Sequence, residues 1–213
     1  MTNILQIIAS PRGTDSQSTQ VANTYIEART RIDPQIKVDV LDLWRTPLPE
    51  FDGDKAAAKM TFFGVGEMDQ QRLSAWDQVV AICERFSQAD EYVISVPMWN
   101  GGVPYKLKHY IDLITQPGLL FGFDPAQGYF GLLENKTATV VYTSGVFAPG
   151  APAKYGSDFQ SSYLAWWLGT IGITDVKPIR YQPSLLTEDP AAQQQAAISQ
   201  AKQTAEQFTA AAH

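Results

Sequence analysis

The sequence has almost none of the residues that build disulfides and metal sites. Its 213 residues include a single cysteine, Cys83, and two histidines, of which His213 is the last residue. One cysteine cannot form a disulfide within the chain, and so few thiols and imidazoles argue against a Cys/His metal site. We therefore expect a protein of a reducing compartment, without a metal, in which Cys83 is a buried apolar side chain of a helix.

Positive charge is also scarce. Sixteen Lys and Arg residues stand against 22 Asp and Glu residues, so the formal net charge is −6, and the basic residues form no stripe. We therefore expect neither nucleic acid nor an anionic membrane as a partner. The segment from Met1 to Leu5 has neither the basic residues nor the long apolar run of a signal peptide or membrane span. The expected location is the cytoplasm.

Hydrophobic residues make up 45% of the chain, which is enough for one domain with a large core. We find no internal repeat and no linker, so a single domain over residues 1–213 is expected. Segments rich in aliphatic residues predict strands, and the segments between them have helical spacing. The predicted strands are residues 4–9, 36–43, 91–96, 137–142 and 173–179. The predicted helices begin near Val21, at 69, at 103, at 155 and after Pro190.

The end of the third predicted strand is the most informative part of the sequence. Pro97 ends the strand, because proline has no N–H for the sheet, and Met98, Trp99, Asn100 and Gly101 follow it. A large aromatic ring, an amide and glycine between a strand and a helix suit a ligand-binding loop, since glycine lets backbone approach a ligand. An ordinary strand-to-helix turn is the alternative.

A polar loop follows the first predicted strand. Residues 10–19 contain five hydroxyl side chains, among them Ser10, Ser16 and Ser18, just before a helix. A helix N-terminus offers unpaired N–H groups and a positive dipole end, and hydroxyl groups add further donors. The loop is neither a Walker loop nor a G-x-G-x-x-G dinucleotide turn. It predicts a site for a phosphomonoester, and redundant helix capping is the alternative.

The fourth predicted strand ends in a third loop with small and hydroxyl residues, Thr143, Ser144 and Gly145. The predicted fold class is α/β, a flavodoxin-like doubly wound sheet of five parallel strands in the order 2-1-3-4-5, with helices on both faces. In that order the carboxyl ends of strands one, three and four are neighbours, so the three loops lie side by side. A flat heteroaromatic ring with one phosphate satisfies all three loops, and flavin mononucleotide (FMN) is such a ligand.

Two further segments are predicted as irregular. Residues 44–66 form a long excursion, and residues 116–131 form a loop rich in glycine and aromatic side chains. The aromatic residues of the second segment are Phe121, Phe123, Tyr129 and Phe130. They are candidates for the walls of a cavity that binds a flat substrate. A lid that packs on itself is the alternative.

These motifs resemble the FMN-dependent NADH:quinone oxidoreductases that also reduce azo dyes, the azoreductases, which have the flavodoxin-like fold. The resemblance rests on Ser10, on the sequence Ser16-Gln17-Ser18 and on Pro97-Met98-Trp99-Asn100, and it continues through residues 107–112 and 172–176. It implies that Ser10, Ser16, Gln17 and Ser18 hold the FMN phosphate. It also implies that Pro97, Met98, Trp99, Asn100 and Gly101 line the isoalloxazine ring.

Two positions depart from the pattern of that family. Gly101 stands where the family usually has Phe, and the third loop reads Ser144-Gly145-Val146-Phe147 in place of Ser-Arg-Gly-Gly. Asn100 and the backbone still suit the edge of a flavin ring, so FMN binding is expected. The departures leave open the physiological acceptor and the choice between NADH and NADPH.

By this resemblance the protein moves two electrons from NADH or NADPH to a quinone or an azo compound by a ping-pong mechanism. The flavin carries that chemistry, so no side chain is assigned as catalytic. Similar enzymes are homodimers, and the Trp- and Tyr-rich segments are candidates for the interface. Two alternatives stay open: a flavodoxin-like FMN electron carrier without substrate turnover, and a flavin-free interaction protein on the same fold.

Overall fold

The structure is a computed structural model that describes residues 1–210. Its strands are β1 (Asn3–Ile8), β2 (Lys37–Asp42), β3 (Glu91–Pro97), β4 (Phe121–Asp124), β5 (Gly128–Gly131), β6 (Thr137–Thr143) and β7 (Asp175–Tyr181). Its α-helices are α1 (Gln17–Ile32), α2 (Gly53–Thr61), α3 (Gln70–Ser87), α4 (Tyr105–Ile114), α5 (Ser161–Thr170) and α6 (Pro190–Ala210).

Five strands form one parallel sheet in the spatial order β2-β1-β3-β6-β7. This is the predicted order 2-1-3-4-5, so the predicted fold class is confirmed. Strand β3 is central and buried almost throughout, as its run rich in β-branched residues predicts. Pro178 lies in β7 at the sheet edge, where its missing N–H leaves no gap between strands.

Helices cover both faces of this sheet. On one face, apolar side chains of α1 and α6 pack with alternate strand residues such as Ile4, Val93 and Val141. On the other face, α3, α4 and α5 pack with the intervening residues such as Ile94 and Val140. This alternation follows from the strand period of two residues, which sends successive side chains to opposite faces. Among the described residues, no helix combines the length and the apolar character that a membrane span requires.

The two segments predicted as irregular contain regular structure. Within residues 44–66, helix α2 begins after Asp52, whose carboxylate accepts the backbone N–H of Lys55 at 3.1 Å. Pro47 and Pro49 precede this helix and Gly53 is its first residue, so the sequence there indicates a loop, although the alanine-rich run that follows favours a helix. Within residues 116–131, β4 and β5 form an antiparallel hairpin. The aromatic residues there have strand propensity, which outweighs the glycines.

Two helix starts also differ from the prediction. Helix α1 begins at Gln17, four residues before Val21, because Ser16 already serves as its N-cap. Helix α5 begins at Ser161, and residue 155 belongs only to a short 3-10 turn, Ala153–Tyr155. Asp158 supplies the acceptor at the start of α5, since its carboxylate accepts the backbone N–H of Ser161 at 2.7 Å.

Candidate functional site

The carboxyl ends of β1, β3 and β6 lie side by side at one edge of the sheet. Ile8 pairs with Ser95, and Pro97 pairs with Thr143. The backbone N–H of Met98 donates to Thr143 O at 2.7 Å, which joins the loop after β3 to the end of β6. The three loops singled out in the sequence therefore lie around one point at this edge. They are residues 10–16, residues 98–104 and residues 144–147. This is the position where open α/β sheets bind ligands.

The first loop places hydroxyl groups around the N-terminus of α1. Ser10, Ser16 and Ser18 are all buried, and the Ser16 and Ser18 hydroxyl oxygens are 3.1 Å apart. Ser16 Oγ also accepts the backbone N–H of Thr19 at 3.3 Å and so caps the helix. The capping alternative is thus correct for Ser16, and because one of these two hydroxyl groups donates to the other, the pair keeps one hydroxyl hydrogen for another acceptor.

The donors of this loop fit a phosphate group. In the part of the chain that the structure describes, the backbone N–H groups of Gln17 and Ser18 donate to no protein acceptor. They are the first two of a helix 16 residues long, so they point along the positive end of its dipole. Together with the three serine hydroxyl groups they are neutral donors of the kind that can hold an anion.

The second loop is a tight reverse turn. Trp99 and Gly102 exchange two backbone hydrogen bonds of 2.9 Å each, and Asn100 and Gly101 between them have φ of 51° and 80°. Two successive positive φ values define a turn that favours Asn-Gly, because other side chains are strained there. The departure from Phe at position 101 therefore has a local cause: this turn needs glycine as its second central residue.

A neighbouring segment, residues 157–159, lies against this turn. The backbone N–H of Phe159 donates to Gly101 O at 2.9 Å. A Cβ at Gly101 would lie 3.2 Å from Ser157 O and 3.4 Å from the Phe159 ring. The absent side chain of residue 101 thus leaves space that residues 157–159 occupy, and the Phe159 ring stands beside the turn.

The third loop is held from the other side by residues 184–186. The backbone N–H of Ser184 donates to Ser144 O and that of Leu185 donates to Gly145 O, both at 2.8 Å. The Ser144 hydroxyl donates to Phe147 O, which closes the loop on itself. A Cβ at Gly145 would approach Leu185 to 3.0 Å, so glycine suits this close approach. These contacts shape the loop without the arginine of the family pattern.

Two cavities meet at Asn100. The smaller, of about 200 Å³, lies between Met98, Gly101 and the third loop. The larger, of about 1210 Å³, is an open cleft between α4 and the segment that precedes α2. Asn100 lines both, so the turn after β3 separates a pocket at the sheet edge from a cleft large enough for a second ligand.

Aromatic side chains form a wall of the larger cleft. Trp99 and Tyr105 line it, and Trp44 packs on both, with ring centroids 5.7 Å from Trp99 and 5.3 Å from Tyr105. The Trp44 indole N–H donates to Ala9 O at 3.0 Å, which anchors the cluster to the end of β1. Sequence reasoning missed Trp44. Its position just after the second strand, at the same sheet edge, was the available signal.

The four aromatic residues proposed as substrate walls belong to the hairpin, in which the Phe121 and Tyr129 ring centroids are 5.6 Å apart. Phe121 lines the cleft. Phe123, Tyr129 and Phe130 are 56%, 69% and 47% exposed and lie outside the residues that line it. Phe123 and Tyr129 are cross-strand partners whose rings are 5.0 Å apart, so they cover the outer surface of the hairpin. Their role as substrate contacts stays a prediction.

His109 has a structural partner. Its Nε2 lies 2.9 Å from Pro49 O, and because a carbonyl only accepts, that nitrogen carries the hydrogen. The contact holds residues 48–51 against α4 and so fixes the width of the cleft. His109 is therefore positioned as a support for the cleft wall.

Comparison with known proteins agrees with this geometry. A family model described as "flavodoxin-like fold" matches residues 2–208. The chain is 64% identical over 192 residues to an FMN-dependent NADH:quinone oxidoreductase of Ruegeria pomeroyi, covering 90% of this chain and 94% of that protein. It is 42% identical over 185 residues to a protein of the same name from Desulfotalea psychrophila, covering 87% of each.

Solved structures of azoreductases share the fold. An azoreductase from Bacillus anthracis superposes with a TM-score of 0.87 at 22% identity, over 98% of this chain and all of that chain. An FMN-dependent NADH-azoreductase from the same species, solved in complex with FMN, has a TM-score of 0.85 at 23% identity, over 98% of this chain and 99% of the other. At this identity the likeness establishes the fold.

Proposed function

The chain belongs to the family of FMN-dependent NADH:quinone oxidoreductases with the flavodoxin-like fold, and we propose that it transfers two electrons from NADH to a quinone or an azo compound. The observation that carries this proposal is the meeting of three donor loops at the carboxyl ends of β1, β3 and β6, beside an aromatic cleft of about 1210 Å³. One position suits a flavin and the cleft next to it suits a second flat molecule.

The proposed cofactor is FMN, and the donors at the sheet edge fit its parts. The phosphate would be held by Ser10, Ser16, Gln17 and Ser18 at the N-terminus of α1. The ring would be held by Pro97, Met98, Trp99, Asn100 and Gly101, with Thr143, Ser144 and Gly145 on the other side. Bound FMN supplies the redox chemistry, which lets one site accept electrons from a nicotinamide and release them to an acceptor.

The protein side chains position the reactants and remove water. The Trp44, Trp99 and Tyr105 cluster gives the cleft a rigid apolar wall against which a flat ring can stack. Backbone N–H groups of Gly145 and Val146, which in the described chain donate to no protein acceptor, are candidate donors to the flavin edge. No step requires a side-chain nucleophile or acid–base pair, so no catalytic residue is proposed.

The cleft favours an enzyme over an electron carrier. A carrier needs only an accessible flavin edge for a protein partner, whereas this chain builds a walled cavity beside the flavin position. The wall uses residues 44–51 and Phe121, which lie outside the alternating strands and helices of the sheet. A wall of this kind is expected of an enzyme that binds a second small molecule beside its cofactor.

We propose that the protein is a homodimer of single-domain subunits in the cytoplasm. Phe159 and Trp166 are 66% and 64% exposed and, with Tyr163, line a shallow apolar groove. Contiguous exposed aromatic groups of this kind favour a protein interface. The two core clusters share one sheet, which supports a single domain. The lone buried Cys83 suits a reducing compartment.

Cofactor binding tests the proposal. Apoprotein is titrated with FMN, FAD and riboflavin while flavin fluorescence is recorded. We expect one FMN per chain and, because phosphate hydrogen bonds contribute about 1.5–3 kcal/mol each, riboflavin at least about tenfold weaker. The loaded protein should oxidise NADH faster when a quinone is present. Failure to take up FMN would contradict the proposal.

A further inference from the structure

The larger cleft carries an excess of positive charge on a chain whose formal net charge is −6. Lys59, Lys106 and Lys108 line it, against the carboxylates of Glu50 and Asp112. With the histidine neutral, these side chains sum to one positive charge. An acidic protein repels anions over most of its surface, so a locally positive cleft is where an anion can approach.

Among the described residues, two of the three lysines are in contact with no carboxylate. Lys108 Nζ lies 2.6 and 2.7 Å from the two carboxylate oxygens of Asp112, so these two charges neutralise each other. Lys59 and Lys106 are half-buried, and neither forms an ion pair within residues 1–210. The cleft therefore presents two cations whose charge is not compensated by a protein carboxylate in contact.

Lys59 is partly removed from water. It lies in the last turn of α2, with its Nζ 5.9 Å from the centre of the Phe51 ring. Burial lowers the pKa of Lys59 below its usual range, and Asp112 opposes this shift. Removing a cation from water without a partner costs free energy, which a bound anion would recover.

The surrounding structure holds both lysines at the cleft. Asp52 caps α2 and pairs with the buried Lys55 ammonium at 3.0 Å, which fixes the helix that carries Lys59. His109 binds Pro49 O and fixes the other wall on α4, the helix that carries Lys106. The lysines thus reach one cleft from two helices, between the aromatic rings of Phe51 and Trp99.

We propose that Lys59 and Lys106 form an anion subsite, which recognises a phosphate or carboxylate group on the flat redox partner that the cleft admits. The proposal rests on the proposed oxidoreductase function and adds a chemical class to its ligands: aromatic molecules with negative charge. The anion has two sources, the phosphates of the nicotinamide dinucleotide or an acidic substituent of the acceptor. Aromatic walls hold the ring in either case, and the two ammonium groups hold the charge.

Equilibrium binding tests the subsite without turnover. FMN-loaded wild type and the Lys59→Gln/Lys106→Gln double variant are titrated calorimetrically with NAD⁺, and separately with an azobenzene carboxylate and its neutral methyl ester. Lys202→Gln is the matched control, because it removes one exposed positive charge from α6, away from the cleft. For a partly exposed pair of contacts we expect about a tenfold loss of affinity for the anionic ligand in the double variant.

The outcomes separate the two sources. If the double variant loses affinity for NAD⁺ alone, the subsite binds the electron donor. If it loses affinity for the azobenzene carboxylate alone, the subsite binds the acceptor. The methyl ester should bind wild type and double variant alike, and anion affinity should fall as salt rises. Equal affinities of wild type and double variant for both anions, or no binding of either anion by wild type, would overturn the proposal. FMN uptake and quinone turnover by wild type report on the proposed function independently.

Discussion

The Ser16 and Ser18 hydroxyl oxygens lie 3.1 Å apart at the start of α1, yet only Ser16 caps the helix. Ser16 Oγ accepts the Thr19 N–H at 3.3 Å, whereas within residues 1–210 the Ser18 hydroxyl group forms no hydrogen bond with the backbone of its own helix. Mutating the two serines one at a time can therefore distinguish helix capping from the proposed phosphate binding. Folding uses Ser16, and phosphate binding is proposed for both.

Ser18→Ala is expected to weaken FMN binding and to leave the fold almost unchanged. A hydrogen bond to a charged phosphate is worth about 1.5–3 kcal/mol, so the FMN dissociation constant should rise roughly ten- to a hundredfold. Ser16→Ala should do the same and in addition lower the free energy of unfolding by about 1 kcal/mol, because the N-cap is lost. Fluorescence titration and urea unfolding measure the two effects. Unchanged FMN affinity in Ser18→Ala would mean that this loop only caps the helix and does not bind the phosphate.

Gly101→Ala is expected to disturb the turn after β3, and Gly102→Ala supplies the matched control. Alanine at a φ of 80° costs about 1–2 kcal/mol, and the new Cβ would lie 3.2 Å from Ser157 O. A Cβ at Gly102 meets nothing closer than 3.8 Å, in an ordinary backbone conformation. Gly101→Ala should therefore unfold at a lower urea concentration than Gly102→Ala and bind FMN more weakly. Equal behaviour of the two variants would show that the turn does not need glycine.

The sheet and the ligand edge could be predicted because their signals are local. Buried parallel strands are short aliphatic runs, and α/β alternation leaves few allowed topologies. The adjacency of residues 10–18, 97–101 and 143–145 followed from the strand order alone. The turn at Asn100 and Gly101 is equally local, since Asn-Gly has a backbone preference that is independent of the rest of the chain.

The cleft could not be predicted, because its walls are tertiary. The segment that precedes helix α2 is held against α4 by the hydrogen bond between His109 and Pro49 O, two residues that are 60 positions apart in the sequence. Strand pairing in the β4–β5 hairpin places Phe121 and Tyr129 on one face with their rings 5.6 Å apart, and Phe121 reaches the cleft while Tyr129 stays 69% exposed. Trp44 is held at the site because its indole N–H donates a hydrogen bond to Ala9 O. No spacing in the sequence predicts this contact.

Arg29→Met is expected to destabilise the fold without affecting the ligand edge. Arg29 and Glu91 form a buried ion pair at 3.0 Å, and the Tyr25 hydroxyl donates to the same carboxylate. The variant leaves Glu91 buried without its counterion, which costs about 3–5 kcal/mol. Glu91 begins β3, at the end opposite Pro97, so FMN affinity should be unchanged in the folded protein.

The exposed ion pair of Arg85 with Asp39 is the control for this prediction. Their side chains are 36% and 51% exposed, so Arg85→Gln should cost no more than about 1 kcal/mol in urea unfolding. A small effect of Arg29→Met, equal to that of Arg85→Gln, would mean that the buried pair contributes little to the fold.

Cys83 is expected to be unreactive in the folded protein. The thiol is buried in α3, donates to Ile114 O at 3.4 Å, and has its pKa raised to about 12 by burial. A raised pKa keeps the thiol protonated, so at pH 8 roughly one molecule in ten thousand carries the nucleophilic thiolate. A disulfide reagent should therefore titrate no thiol in native protein and one thiol per chain in guanidinium. Rapid labelling of the native protein would contradict the buried position.

Steady-state turnover of the FMN-loaded protein tests the central claim most directly. NADH oxidation is followed at several fixed concentrations of a benzoquinone, with free FMN at the same concentration as the control. One shared cleft requires the oxidised nicotinamide to leave before the quinone enters, so the double-reciprocal plots should be parallel lines. Turnover no faster than that of free FMN would contradict the assignment as an oxidoreductase, and intersecting lines would contradict a single shared cleft.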